Sequence, residues 1–455
     1  MFYLDARIPS NTGPTVVVGM LVWMLLPTIV TAMAMPSTSS TSAAAATSPI
    51  KLQVPHPVRS PTETLQDLAQ ECQELGIADW DVYGDFEKTA AESFLRRFEQ
   101  EVALEFQKED AVFMPSGVMA QSIALFIHSK DKIEKGVTPK FVCHATSHLL
   151  LHEQNAFREL CGLQACPMPK TAPGLGLGAP PLSYDDVHEC FEDNDGSHIV
   201  STVLLELPHR ELGGKITPWE DILATQQLCR ERGVAFHCDG ARIFEATTGY
   251  EKTPAELVAP FDSVYISFYK GLGGISGAIL MGNQEFCEQA RIWLRRFGGN
   301  LYSLLPYVVS GWSGYRRYWI RPQQSSHPEI LSFQDKKNKL VRLGEAFSSN
   351  PAISKVMTLE PLVPHVNMVH CYLRSNLDKS EKIRDRIQEE LGVSIFNRLR
   401  AIEAADPAFA EGYRCKFELS IGQANGCIPD QVWIRAWDRF GSEASCDTEL
   451  KDENS

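Results

Sequence analysis

Apolar positions recur along this chain with two periods, and the two periods alternate. Between Lys88 and Glu105 the residues Ala91, Phe94, Leu95, Phe98, Val102 and Leu104 fall at three- and four-residue spacing, which predicts an amphipathic helix. A short apolar run, A-V-F-M, predicts a strand; after P-S-G, the run V-M-A-Q-S-I-A-L-F-I-H predicts another helix. Lys140 to His144 reads as a strand and Ser147 to Leu160 as a helix. Ile199 to Leu207 is dense in Leu and β-branched residues, the composition of a strand buried on both faces. Trp219 to Arg232 predicts a helix closed by Gly233. Strands follow at Val234–Cys238, Ser263–Phe268 and Gly277–Met281, and then a helix at Glu285–Phe297. Upstream, Pro61 to Leu75 has helical spacing with Thr62 or Thr64 as a cap.

Alternating β and α units of this kind predict an α/β fold, a mainly parallel sheet with helices on both faces. After about Arg321 the pattern changes. Helices at Ser332–Phe347, Ser380–Leu391 and Asp430–Phe440 alternate with strand-like Val366–Tyr372 and Lys416–Ile421, which predicts a small α+β C-terminal domain. The expected organisation is a large domain over residues 52–320 and a small one over 321–445. Residues 446–455 form an acidic, solvated tail.

The N-terminus departs from this pattern. Thr15 to Met35 is an almost uncharged apolar run with Asp5 and Arg7 upstream and small residues near Thr31 to Ala34. It reads as a cleaved signal peptide or a single membrane anchor, so membrane contact is expected only if it is retained. Low-complexity S-T-S-S-T-S-A-A-A-A-T-S-P follows, and everything before about Leu52 is set aside from the fold.

Composition narrows the function. A net charge of −14 over 455 residues, with no basic block, excludes a nucleic-acid partner. Twelve cysteines are scattered with no C-x-x-C pair, so no metal site is expected and most are read as free thiols in the core.

Two strands end in chemistry. V-A-F-H-C-D-G-A-R-I-F puts Asp239 where its strand runs out, followed by Gly240 and Arg242; S-V-Y-I-S-F-Y-K-G-L-G-G puts Lys270 at a second strand end, before Gly271, Gly273 and Gly274. Ligands of open α/β sheets bind at the carboxyl ends of strands, so both side chains point towards one crevice. A Schiff-base lysine must be uncharged to react, and burial favours that state. A carboxylate beside a pyridine nitrogen keeps that nitrogen protonated. The alternative is a structural Asp239–Lys270 ion pair.

H-C-D-G-A-R-I-F-E-A followed by S-F-Y-K-G-L-G-G-I-S-G-A-I-L-M-G resembles the threonine aldolase and β-eliminating lyase family over roughly Asp79 to Tyr315. The resemblance implies PLP fold type I, with a seven-stranded, mainly parallel sheet, and pyridoxal 5′-phosphate (PLP) on Lys270 with Asp239 at its ring nitrogen. D-V-Y-G-D resembles the family's early Tyr-Gly segment. F-M-P-S-G-V-M-A-Q resembles its phosphate turn, which implies phosphate contacts from the backbone of Gly117, Val118 and Met119, with Ser267 as an extra donor. T-S-H-L-L-L-H-E resembles the H-x-x-x-x-E segment and implies His148 over the ring, with His144 and His152 as alternatives. L-E-L-P-H-R-E-L-G-G-K implies His209 at the active-site mouth. D-G-A-R implies that Arg242 meets the substrate carboxylate; its alternative is an ion pair with Glu206 or Asp239.

The implied reaction is cleavage of a β-hydroxy-α-amino acid to glycine and an aldehyde, by a homodimer or homotetramer. Other implied possibilities are a β-elimination or a catalytically silent scaffold. Some positions depart from the family. Val118 stands where Thr is usual, and N-L-Y-S-L-L-P-Y lacks the usual arginine; this aromatic stretch suits either a subunit interface or a buried helix. R-C-K-F-E-L-S-I-G has no clear counterpart of the second carboxylate-binding arginine, leaving Lys416 or Arg414 as substitutes.

Overall fold

Val200–Glu206 carries no polar face, and in the computed structural model all seven of its residues are buried. The structure describes residues 48–83, 92–170, 176–193, 199–324 and 329–445. The apolar N-terminal run, part of the D-V-Y-G-D segment and the acidic tail lie outside them. Among the described residues no helix is long and apolar enough to cross a membrane.

In chain order the strands are β1 (Ile50–Lys51), β2 (Asp110–Met114), β3 (Lys140–His144), β4 (Gln164–Met168), β5 (Val200–Glu206), β6 (Ala235–Gly240), β7 (Ser263–Ser267), β8 (Ala278–Gly282), β9 (Met357–Glu360), β10 (Met368–Leu373), β11 (Val393–Ser394), β12 (Arg400–Ala401) and β13 (Cys415–Ser420). Seven of them form one sheet in the order β2-β8-β7-β6-β5-β3-β4. Neighbours from β7 through β4 run parallel, and only β8 runs against its neighbours. The expected mainly parallel seven-stranded sheet is therefore present. A four-stranded antiparallel sheet, β12-β13-β10-β9, has its own core around Trp433, Trp437 and Phe440.

The differences from the sequence reading have local causes. β4 escapes it because Q-A-C-P-M has no strand-like pattern; as an edge strand it tolerates Pro167 and exposes Gln164 and Pro167. The helix expected over Ser147–Leu160 is two short ones, His148–His152 and Ala156–Glu159. Gln154 and Asn155 between them adopt left-handed backbone (φ 51° and 56°), which no helix continues through. Ile50 and Lys51, set aside from the fold, pair in parallel with Val393 and Ser394, and Leu52 is buried in the smaller sheet's core. The stretch before Tyr315 forms the helix Leu305–Tyr315, whose Val308, Val309, Trp312 and Tyr315 are core residues. Cys166 and Cys190 form a disulfide, and nine other described cysteines are free.

An aromatic cluster fixes the strand end that matters most. Phe98 is fully buried and stacks on Trp312 at 5.5 Å, with Phe268 at 5.0 Å and Phe113 at 6.1 Å. Phe268 lies two residues before Lys270, so this packing aims the lysine turn. Gly274 continues the turn against the same residue: its N–H donates to the Phe268 carbonyl at 2.8 Å, and a Cβ there would lie 2.9 Å from that oxygen. Phe98→Ala is expected to destabilise the protein by about 3–5 kcal/mol. Chemical denaturation followed by fluorescence measures this; a loss within error of zero would show that the cluster does not anchor the turn.

Candidate active site

Glu206, Asp239 and Tyr265 are register partners across β5, β6 and β7, so three polar residues reach the same edge of a buried sheet. Asp239 is 2% exposed, and among the described residues its carboxylate accepts a single hydrogen bond, from the Ala241 N–H at 3.1 Å. Lys270 follows β7 by three residues. Both side chains line one cavity of about 250 Å³, yet no ion pair joins them. The Lys270 amine makes no hydrogen bond or ion pair among the described residues and lies 5.7 Å from the Tyr269 ring centroid. The structural ion pair considered from the sequence is thus absent.

The electrostatics follow from that separation. Burial, then the neighbouring Glu206 carboxylate, push Asp239 above the usual carboxylate range. Burial, reinforced by Arg242, lowers Lys270 to about 8. A buried acid without a cation and a buried amine without an anion are both costly unless something sits between them. A protonated ring nitrogen against Asp239 and a carbonyl group against Lys270 would satisfy both.

The far end of this cavity is lined by Ser116, Gly117, Val118 and Ser276. Ser116 caps the 18-residue helix Gly117–Glu134, so the positive end of that helix opens onto the cavity. Met119 departs from expectation: its N–H donates to Ser116 Oγ at 3.3 Å, and Met119 does not line the cavity. Gly117 is required by close packing, since a Cβ would lie 2.1 Å from Tyr265 Oη. Ser267 Oγ is buried beside the Tyr265 and Tyr269 hydroxyls, and the residue lines neither this cavity nor the adjoining one. The open helix end and the unpaired Asp239 and Lys270 fit PLP: Gly117 and Val118 would hold its phosphate and Asp239 its ring nitrogen.

The three histidine candidates separate clearly. His148 lines this cavity and an adjoining one, and its Nδ1 is 2.9 Å from Glu153 Oε1. The hydrogen bond to Glu153 is the largest cause of its raised pKa. The left-handed turn at Gln154 and Asn155 lets Glu153 end the short helix facing back to His148. His152 instead meets Glu211 at 2.8 Å, and His144 is buried against Thr146. His209 is not at the mouth: it is 3% exposed, with Nε2 at 2.8 Å from Thr146 Oγ1, and lines neither cavity. A bridge to Lys215, with the His209 N–H donating to its carbonyl, turns the residue inward.

The adjoining cavity, about 340 Å³, also contains Arg242, Tyr269 and Lys270, with Arg210, Glu245, Lys336 and Glu418. The Arg242 guanidinium makes no hydrogen bond among the described residues; the carboxylate it faces is neither Glu206 nor Asp239 but Glu418, at 3.6 Å. Glu418 is committed elsewhere, accepting from Arg210 Nε at 2.9 Å. Lys416 lines a different cavity, and Arg414 donates to the carbonyls of Phe409 and Tyr413. The sequence reading missed Arg210, Tyr269 and Glu418. Tyr269 was legible as the neighbour of Lys270; Glu418 was not, because it arrives from the other sheet.

A family model described as beta-eliminating lyase matches residues 68–356. The chain belongs to the beta-eliminating lyase family. Within curated relatives, a low specificity L-threonine aldolase from Escherichia coli O157:H7 is 32% identical over 221 residues, 49% of this chain and 60% of that protein. A probable low-specificity L-threonine aldolase 2 from Arabidopsis thaliana is 30% identical over 54% of this chain and 64% of its own length. The match thus spans under two thirds of these relatives. A crystal structure of a candidate L-allo-threonine aldolase from Listeria monocytogenes EGD-E superposes with a TM-score of 0.70 at 33% identity, covering 87% of this chain and 96% of that one. The fold of this family member is PLP fold type I.

Lys270 supplies a pH test. Its amine is protonated below about 8 and nucleophilic above it. Reductive trapping of PLP on Lys270, read by peptide mass, is expected to rise with pH through that value. Arg242→Met should move the rise to higher pH, because the guanidinium helps hold the ammonium down. A profile flat through this range would remove the assigned environment.

Proposed function

We propose that this protein is a PLP-dependent carbon–carbon lyase of threonine-aldolase type, cleaving a β-hydroxy-α-amino acid to glycine and an aldehyde. The observation that carries the reading is Asp239 and Lys270 facing one cavity without pairing, beside a second cavity with an unbonded Arg242. The family membership supports it.

Lys270 holds the cofactor through its amine. Asp239 keeps the proton at the ring nitrogen, and when bound the cofactor provides the electron sink for cleavage at Cα. Arg242 offers its free guanidinium edge to the substrate carboxylate, a bidentate contact that orients the amino acid. His148, polarised by Glu153, is the base positioned to take the β-hydroxyl proton. His209, enclosed behind the wall, is a positioning residue through Thr146 and Glu206. Gly117 and Val118, at the open end of their helix, would hold the phosphate.

Purified protein with PLP should show a visible absorbance that Lys270→Ala abolishes. Threonine, allo-threonine and phenylserine should yield glycine, measured by amino-acid analysis, whereas serine and cysteine should not yield a keto acid. Keto-acid release without glycine would favour β-elimination instead. His148→Asn is expected to lower kcat by about 10²–10⁴-fold while the absorbance remains; unchanged turnover would remove His148 from the proton transfer.

A further inference from the structure

The substrate-side cavity holds more positive charge than the proposed reaction has used. Arg210 is consumed: it donates to Glu418 at 2.9 Å and to Glu211 at 2.9 Å. His148 is engaged with Glu153. Lys270 is reserved for the cofactor in the proposed reading. Arg242 and Lys336 remain.

Lys336 lies on the helix Phe333–Ser349, at the junction between the two sheets' cores, and is 2% exposed. Lysine is seldom buried without a partner, because desolvating an ammonium costs several kcal/mol. Yet the Lys336 ammonium makes no hydrogen bond and no ion pair among the described residues. Its ammonium sits 4.3 Å from the Phe333 ring centroid and 5.6 Å from that of Tyr318. Such cation–π contacts recover part of the desolvation cost and leave the ammonium donors free. The charged groups around it are Glu245, Asp335 and His56; none is within ion-pair distance. Glu245 is shared between Arg242, Lys336 and Lys270, with Arg242 foremost, and burial raises its pKa, so it is no dedicated counter-ion for Lys336.

An unpaired buried ammonium and an unbonded guanidinium thus line the same cavity. We propose that Lys336 is a specificity-determining residue that binds a substrate carboxylate, the second cationic contact beside Arg242. This rests on the PLP reading of the site. It also answers a gap left by the chain's own C-terminal segment, where Lys416 and Arg414 both point away from the cavity. The cation comes from the helix after the large sheet, and not from β13, whose Glu418 is the residue that reaches the cavity.

The test uses the PLP-loaded protein and reads the cofactor absorbance on titration with three amines. Glycine carries one carboxylate, aspartate two and ethanolamine none. Lys336→Gln is expected to weaken glycine and aspartate, or aspartate alone, by about tenfold or more, the scale of one charge-assisted contact. The first pattern assigns Lys336 to the α-carboxylate, and the second to a side-chain carboxylate. Ethanolamine affinity should not change, which also shows that the variant site is intact. Lys336→Arg should retain most of the lost affinity. Equal weakening for all three amines, or unchanged binding of both acids, would overturn the proposal. Wild-type protein that acquires no cofactor absorbance would instead overturn the reading on which it rests.

Discussion

Two buried charges that do not neutralise each other organise this molecule. Asp239 and Lys270 sit at adjacent strand ends, each desolvated, each without an ionic partner. An ion pair between them would have lowered the cost of burying both. The backbone instead holds both on the wall of one cavity without an ion pair, and their pKa values move towards one another: the acid up, the amine down to about 8. The packing of the surrounding sheet holds that separation. β5 and β7 are buried at every position, and the Phe98 cluster packs against the residue two before the lysine.

The same economy appears around the adjoining cavity. Its acids and bases are partitioned so that some are spent on structure and others are left open. Arg210 and Glu418 tie the loop after β5 to the smaller sheet, a contact between parts far apart in sequence. Arg242 and Lys336 keep their donors free, the second at the expense of an aromatic cradle in place of a carboxylate. The result is a pocket with fixed positive groups on its walls and a reactive amine at its boundary, suited to an amino acid with its carboxylate held. His148 belongs to both cavities, so one imidazole is shared between them.

Much of this was legible in the order of residues. The alternation of periods gave the strands and the mainly parallel sheet, because burial on both faces demands apolar residues at every position. The strand-end motifs gave Asp239, Arg242 and Lys270, because the carboxyl edge of such a sheet is where polar groups can gather. Where the signal was weak, competing local physics was responsible: a proline-bearing edge strand with no hydrophobic pattern, and two left-handed residues that break one helix into two. The Met119 amide donates to the Ser116 cap and the residue stays out of the cavity lining, an arrangement invisible without the helix end in place.

The sequence by itself determined the fold and the chemical identity of the cofactor-side residues, since both depend on local pattern and on position within one strand. The tertiary structure alone decided which charges remain free. It turned His209 into the wall, put Glu418 against Arg242, and brought Lys336 from a helix after the large sheet to the same cavity as Lys270. Pairing of charges depends on distances of a few ångströms between segments far apart in the chain, and nothing in local sequence fixes those distances.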